Sequence, residues 1–161
     1  MDPPPPLEVA MTFQIGRQTW ADTPSCDLSF AASPTNVRFA LILVGDFLER
    51  RGLAAARDDV ALALGEALNN IEEHAYADRS GGPVVLRVAS QGARVMIDIT
   101  DYGAALPDKK LPAAMMPELD NVALNDLPEG GFGWALIGAI SESISYERRD
   151  NENRLAFSIA S

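Results

Sequence analysis

Apolar and polar positions along this chain change period several times, and each change marks an element. From Leu7 to Ile15 the apolar residues Leu7, Val9, Met11, Phe13 and Ile15 roughly alternate with polar neighbours, the period of a half-buried strand. Asp22 to Ser29 carries Pro24 and several cap-prone residues and reads as loop. Ser33-Pro34 then supplies an N-cap and a proline for the first helical position, which predicts a helix through Arg51 that Gly52 can end. Its Val37, Leu41, Val44 and Leu48 form one stripe. A second helix is predicted from Asp58 or Asp59, whose carboxylates complement the positive end of the helix dipole, to about Tyr76. Val60, Leu64, Ala67, Leu68 and Ile71 form its buried face. Ser80-Gly81-Gly82-Pro83 breaks the pattern, and Val84 to Ser90 and Arg94 to Thr100 follow as a hairpin joined by Gln91-Gly92. Tyr102 to Glu129 is punctuated by Pro107, Pro112, Pro117 and Pro128 and keeps no period; so long a loop usually closes over a site. Trp134 to Ile140 is a short helix apolar nearly all round, expected to be buried or covered by a partner. Ser143 to Arg148 and Arg154 to Ile159 alternate as two last strands. Antiparallel strands segregated from helices predict an α/β (α+β) two-layer sandwich.

Composition narrows the partners. The 161 residues, 47% hydrophobic and 22% charged, suit a single domain over 7–161 with a disordered proline-rich tail over 1–6. Thirteen basic residues stand against 23 acidic ones, a net charge of −10, which disfavours an electrostatic grip on nucleic acid or anionic lipid. The longest purely apolar run, Phe39 to Val44, is far below the roughly 18 residues of a membrane span. The Met-Asp-Pro-Pro-Pro-Pro start lacks the charge and apolar core of a secretory signal, so a cytoplasmic location is expected. Cys26 is the only cysteine and His74 the only histidine, which excludes an intramolecular disulfide and a Cys/His zinc cluster and leaves Cys26 as a packing residue.

Three stretches can carry chemistry. Glu66, Asn70 and His74 are spaced by four and share a helix face. An amide oxygen there can ligate Mg²⁺ while the carboxylate takes a proton from a nucleophile, although a solvated face gives the same spacing. Asp101-Tyr102-Gly103 ends a strand, where a buried aspartate can accept from the exocyclic amine of adenine and Gly103 lets backbone approach the base. An ordinary Asp-Gly turn looks the same. Gly130, Gly131 and Gly133 open a helix, where backbone amides and the helix N-terminus can receive phosphate. A hinge would also use them.

In this order, and separated by a long loop, the three resemble the nucleotide-binding boxes of the GHKL superfamily. The stretch from about Ser33 to Ile159 is most similar to the anti-sigma-factor serine-protein kinases. The matching strings are Glu66-Ala-Leu-Asn-Asn70 with His74-Ala-Tyr76, Asp101-Tyr-Gly103, Pro128-Glu-Gly-Gly-Phe-Gly133 and Asn153-Arg-Leu155. The resemblance implies a Bergerat-type ATP-binding fold, a mixed and mostly antiparallel sheet with helices on one face. It implies ATP and Mg²⁺, with Glu66 as general base and Asn70 as metal ligand. Asp101 and Gly103 would hold the adenine, and Gly130, Gly131 and Gly133 the phosphates; His74 would be a hydrogen-bonding support. It further implies a STAS-domain anti-anti-sigma protein as serine substrate, and a sigma factor or other regulator as sequestered target. A homodimer through Val37, Leu41 and Val44 is also expected. Two departures stand out: Ala105 replaces a glycine that many GHKL ATPases have two positions after Gly103, and Pro128-Glu129 occupies a place where some relatives have arginine, leaving Lys109 and Lys110 as substitutes. These departures support an alternative, a non-catalytic sequestering module of the same fold.

Overall fold

Ser33 begins the helical layer as its side chain accepts a hydrogen bond from the Asn36 backbone N–H at 3.1 Å, with Pro34 in the first turn. A computed structural model describes residues 12–14, 23–112 and 132–161. The resulting helix, α1 (Pro34–Arg50), runs to Gly52, whose φ of +73° only glycine adopts without strain. Ser33→Ala should cost about 1 kcal/mol, the usual worth of such a cap, read as a lower urea midpoint at unchanged slope.

α2 (Arg57–Asn70) packs across α1, and its last turns widen into a π-helical segment, Ile71–Ala75. α3 (Phe132–Ile140) packs on α2. The strands are β1 (Thr12–Gln14), β2 (Ser25–Ala31), β3 (Pro83–Gln91), β4 (Arg94–Asp101), β5 (Ser143–Arg149) and β6 (Glu152–Ala160). They form one sheet in the order β1-β2-β3-β4-β6-β5, and every described pairing is antiparallel. One face buries Leu28, Phe30, Leu86, Val88, Ile97, Ile99, Phe157 and Ile159 against Val44, Leu48, Val60, Leu64, Leu68 and Ile137 of the helices. The other face carries charge, including the pairs Arg87 with Asp27 at 2.6 Å and Arg154 with Asp98 at 2.9 Å. The α/β sandwich with helices on one face is therefore as expected.

Three expectations are corrected. The loop expected over 22–29 is, from Ser25 on, the strand β2, because Cys26, Leu28 and Phe30 alternate with Asp27 and Ser29 and pair with β3 in full register. Burial and the neighbouring Asp27 push the Cys26 thiol up to about 11, consistent with a packing role. Val37 and Val44 are buried in the protein's own core, so the α1 stripe is not a free dimer face; the exposed apolar residues of α1 are Phe39 and Ile42. Finally, α3 is only partly enclosed, with Ala135 and Ile137 buried, Trp134 half-buried and Ala139 exposed. β1 represents the strand expected over 7–15; the remainder of that strand, the tail over 1–6 and the long loop beyond 112 lie outside the described residues. No helix of the described residues is long and apolar enough to cross a membrane.

Candidate functional site

The buried rows of β4 and β6 both end in a polar residue. Val95, Ile97 and Ile99 lead to Asp101, while Leu155, Phe157 and Ile159 run back to Asn153, and the register sets Asp101 opposite Asn153. Burying two polar side chains at the rim of an apolar core is costly unless they satisfy each other. They do: Asn153 Nδ2 donates to Asp101 Oδ1 at 2.8 Å, and the Gly103 N–H donates to the same oxygen at 2.9 Å. Both hydrogen bonds that Asp101 receives from described residues fall on Oδ1, which leaves Oδ2 for a ligand.

Beside this pair lies a cleft of about 100 Å³, lined by Asn70, Ile71 and His74 on one wall and by Asp101, Ala105, Leu106 and Asn153 on the other, with Trp134 of α3 closing one side. Its lining is mostly apolar with a few convergent polar groups, the usual make-up of a small-molecule site. Asn70 Nδ2 is buried without a hydrogen-bond partner among the described residues. A buried amide nitrogen without a protein partner is rare in a native fold and is suited to a water, an ion's hydration shell or a ligand.

Glu66 lies one helical turn before Asn70, and both border Gly133 at the start of α3. A Cβ at Gly133 would stand 2.6 Å from Glu66 Oε2 and 3.6 Å from Asn70 Nδ2. The carboxylate, the amide and Gly133 are thus brought together, as the resemblance implies. Gly130, Gly131, Pro128 and Glu129 lie outside the described residues.

Gly103 serves a different contact from the expected one. A Cβ there would meet the Ala75 carbonyl oxygen at 2.3 Å, and the adjacent Ala104 N–H donates to that oxygen at 2.8 Å. The close approach at Gly103 is to the end of the π-helical turn, which joins the Asn70 wall to the Asp101 wall. Tyr76 reinforces the joint: its hydroxyl donates to Pro83 O at 2.6 Å and accepts from the Tyr102 N–H at 2.8 Å. His74 is exposed on the cleft wall and its ring makes no hydrogen bond to a described residue, so the support expected of it is not seen. Lys109 and Lys110 are exposed just beyond Pro107 of the cleft lining.

Sequence reasoning assigned no role to Tyr146, Arg148 or Tyr76, and quoted Asn153 without giving it one. The available signal was an Asn and an Asp each ending an apolar row; its use required the β4–β6 pairing.

Burial pushes the Asp101 carboxyl above its ordinary value of 3.8, against opposing contributions from the Asn153 and Gly103 hydrogen bonds and the Arg148 charge. The folded chain therefore holds this proton more tightly than the unfolded chain. Its contribution to stability is greatest below pH 3.8 and is lost as pH rises through the raised folded value. At neutral pH the ionised form is a net cost. Asp101→Asn, which keeps an oxygen for Gly103 and Asn153, should then leave the ligand-free melting temperature at pH 7 equal to or above wild type. A melting temperature below that of wild type would contradict the cost assigned to the buried, ionised carboxylate.

Residues 30–159 match the histidine kinase-like ATPase domain family. The chain is 33% identical to the serine/threonine-protein kinase BtrW of Bordetella bronchiseptica, over 67% of this chain and 73% of that protein. It is 26% identical to the serine-protein kinase RsbW of Oceanobacillus iheyensis, over 73% of this chain and 75% of that protein. It is also 26% identical to the anti-sigma F factor of Clostridium botulinum, over 75% of this chain and 82% of that protein.

Proposed function

The chain belongs to the histidine kinase-like ATPase domain family, and from that premise we propose that it is an ATP-dependent protein-serine kinase that switches between protein partners. The observation that carries this reading is the meeting of Glu66, Asn70 and Gly133, with Asn70 also lining a cleft whose other wall holds Asp101, its Oδ2 without a partner among the described residues. Its similarity to curated serine-protein kinases supports the choice of hydroxyl substrate.

In this reading Asp101 Oδ2 accepts from the exocyclic amine of adenine, and the apolar cleft walls sandwich the ring. The N–H groups opening α3, with Gly130, Gly131 and Gly133, receive the phosphates in a protein whose net charge of −10 would otherwise repel them. Asn70, whose amide nitrogen is buried without a partner among the described residues, would hold Mg²⁺ through its amide oxygen together with phosphate oxygens and water. When bound, Mg²⁺ neutralises charge that builds on those oxygens. Glu66 takes the proton of an incoming serine hydroxyl. The serine Oγ bonds to the γ-phosphorus as the bond from that phosphorus to the β–γ bridging oxygen breaks, and ADP leaves.

The serine belongs to a STAS-domain anti-anti-sigma protein, and the partner held in its place is a sigma factor or another regulator, both in the cytoplasm. The name of the anti-sigma F factor relative supports the sigma-factor side of this pairing, and that of the serine-protein kinase RsbW the phosphorylation of serine. Incubation with Mg-ATP and the STAS protein encoded nearest its gene should yield acid-stable phosphoserine. A stable complex without phosphoserine would instead identify a sequestering module. The metal assignment has its own check: Mg-ATP should raise the melting temperature of the wild type, and Asn70→Ala should lose most of that gain, because a ligand stabilises only as far as it binds. Equal gains would refute it.

A further inference from the structure

Asn153 spends its whole carboxamide inside the protein. Its Nδ2 donates to Asp101 Oδ1 at 2.8 Å, Ala104 O at 3.1 Å and Gly103 O at 3.3 Å. Its Oδ1 accepts from the Tyr146 hydroxyl at 2.7 Å and from Arg148 Nη1 at 2.8 Å. The orientation of the amide follows from these partners, since turning it over would set its oxygen against a carboxylate and two carbonyls. The two donors carry the network further. The Tyr146 hydroxyl accepts from the Leu106 N–H at 3.0 Å, and Arg148 Nη1 also donates to Gly103 O at 2.8 Å.

Asp101, Gly103, Ala104 and Leu106, which carry one wall of the cleft, are therefore tied through one side chain to the β5–β6 hairpin. Asn153 is 3% exposed and has no valence left for a ligand. What it controls is the orientation of its neighbour: with Asn153 and the Gly103 N–H both on Oδ1, the carboxylate cannot rotate without breaking two hydrogen bonds, and in this residue of the cleft lining Oδ2 alone has no partner among the described residues.

We infer that Asn153, held by Tyr146 and Arg148, is the positioning residue for base selection, fixing Asp101 so that the cleft accepts a 6-amino purine and rejects a 6-oxo purine. This rests on the nucleotide site proposed above. A 6-oxo purine would turn a second acceptor toward Asp101 Oδ2, leaving both unsatisfied. A loosened carboxylate would lose this preference, because it could no longer hold its hydrogen bond to the amine.

The test is the ratio of ADP to IDP affinity, measured by titration calorimetry on the full chain at fixed pH. Wild type should prefer ADP by about 100-fold or more, as expected of a site built around a substrate N–H. In Asn153→Ala the ratio should fall below about tenfold, through weaker ADP binding and unchanged IDP binding, the loss of roughly one charged hydrogen bond. Tyr146→Phe removes only the hydroxyl that bridges Leu106 and Asn153. It should narrow the ratio less, and it provides the reading if Asn153→Ala does not fold. A purely structural role predicts that ADP and IDP weaken in parallel in both variants, with the ratio kept; that result overturns the inference and leaves the nucleotide site standing. Failure of wild type to bind either nucleotide overturns the nucleotide site itself, and this inference with it.

Discussion

Glu66→Gln should lower the rate of serine phosphorylation by about 10²–10⁴-fold, the usual worth of a general base, while ADP affinity stays within about threefold of wild type. The two effects would separate because Glu66, the proposed base, borders the proposed phosphate end of the site and is not among the side chains around Asp101. Glu66 is half-buried on α2 and borders Gly133, but it does not line the cleft that Asn70, Asp101 and Asn153 enclose. Glutamine keeps the length and planarity of the side chain, and so its packing against Gly133, but it cannot accept a proton at neutral pH. Phosphoserine yield under single-turnover conditions gives the chemical step directly, without product release. A loss of less than about tenfold would fall outside the range for a general base and leave Glu66 as a packing partner of α3. A parallel loss of ADP affinity would mean that the side chain shapes the nucleotide site and does not serve the chemistry alone.

The helical layer was legible because its signals are local. Ser33 and Pro34 start α1, Gly52 ends it, and the apolar stripe of α2 needs only a period of 3.6. The β3–β4 hairpin was legible for the same reason, with alternating residues on either side of a short turn at Gly92. β2 was hidden by its composition: Cys26, Asp27 and Ser29 look like turn residues until the Cys26, Leu28, Phe30 alternation is weighed above them. At the site, Glu66, Asn70, Asp101 and Gly133 were picked out because the strings that carry them resemble the boxes of one superfamily; their spacing alone is equally that of a solvated helix face, an Asp-Gly turn and a hinge. The residues that hold them in place were not. Asn153 is 52 positions from Asp101, and Arg148 is 45 from Gly103. Only the β4–β6 pairing and the β5–β6 hairpin make them neighbours. Gly103 shows the same limit, since its requirement for glycine comes from Ala75, a residue on another element.

Gly103→Ala should therefore cost more than any loss of backbone freedom implies. The added methyl would stand 2.3 Å from the Ala75 carbonyl oxygen and 2.6 Å from its carbon, both backbone atoms that cannot swing aside. Relief requires the end of β4 to part from the π-helical turn, which breaks the Ala104 N–H to Ala75 O bond and pulls Gly103 O from Asn153 and Arg148. A destabilisation of about 3 kcal/mol is expected, the upper part of the range for overpacking, with a fall in ADP affinity because Asp101 shares the displaced segment. Gly92→Ala is the proper comparison. Gly92 has a φ of +59° but open space around the missing Cβ, so alanine there pays only for its backbone conformation, about 1 kcal/mol, and ADP binding should be untouched. Urea midpoints and ADP titrations on the two variants decide the matter. Equal stability losses would mean that the strand end yields freely, and that the Asn70 and Asp101 walls of the cleft are not held in register by the contact at Ala75.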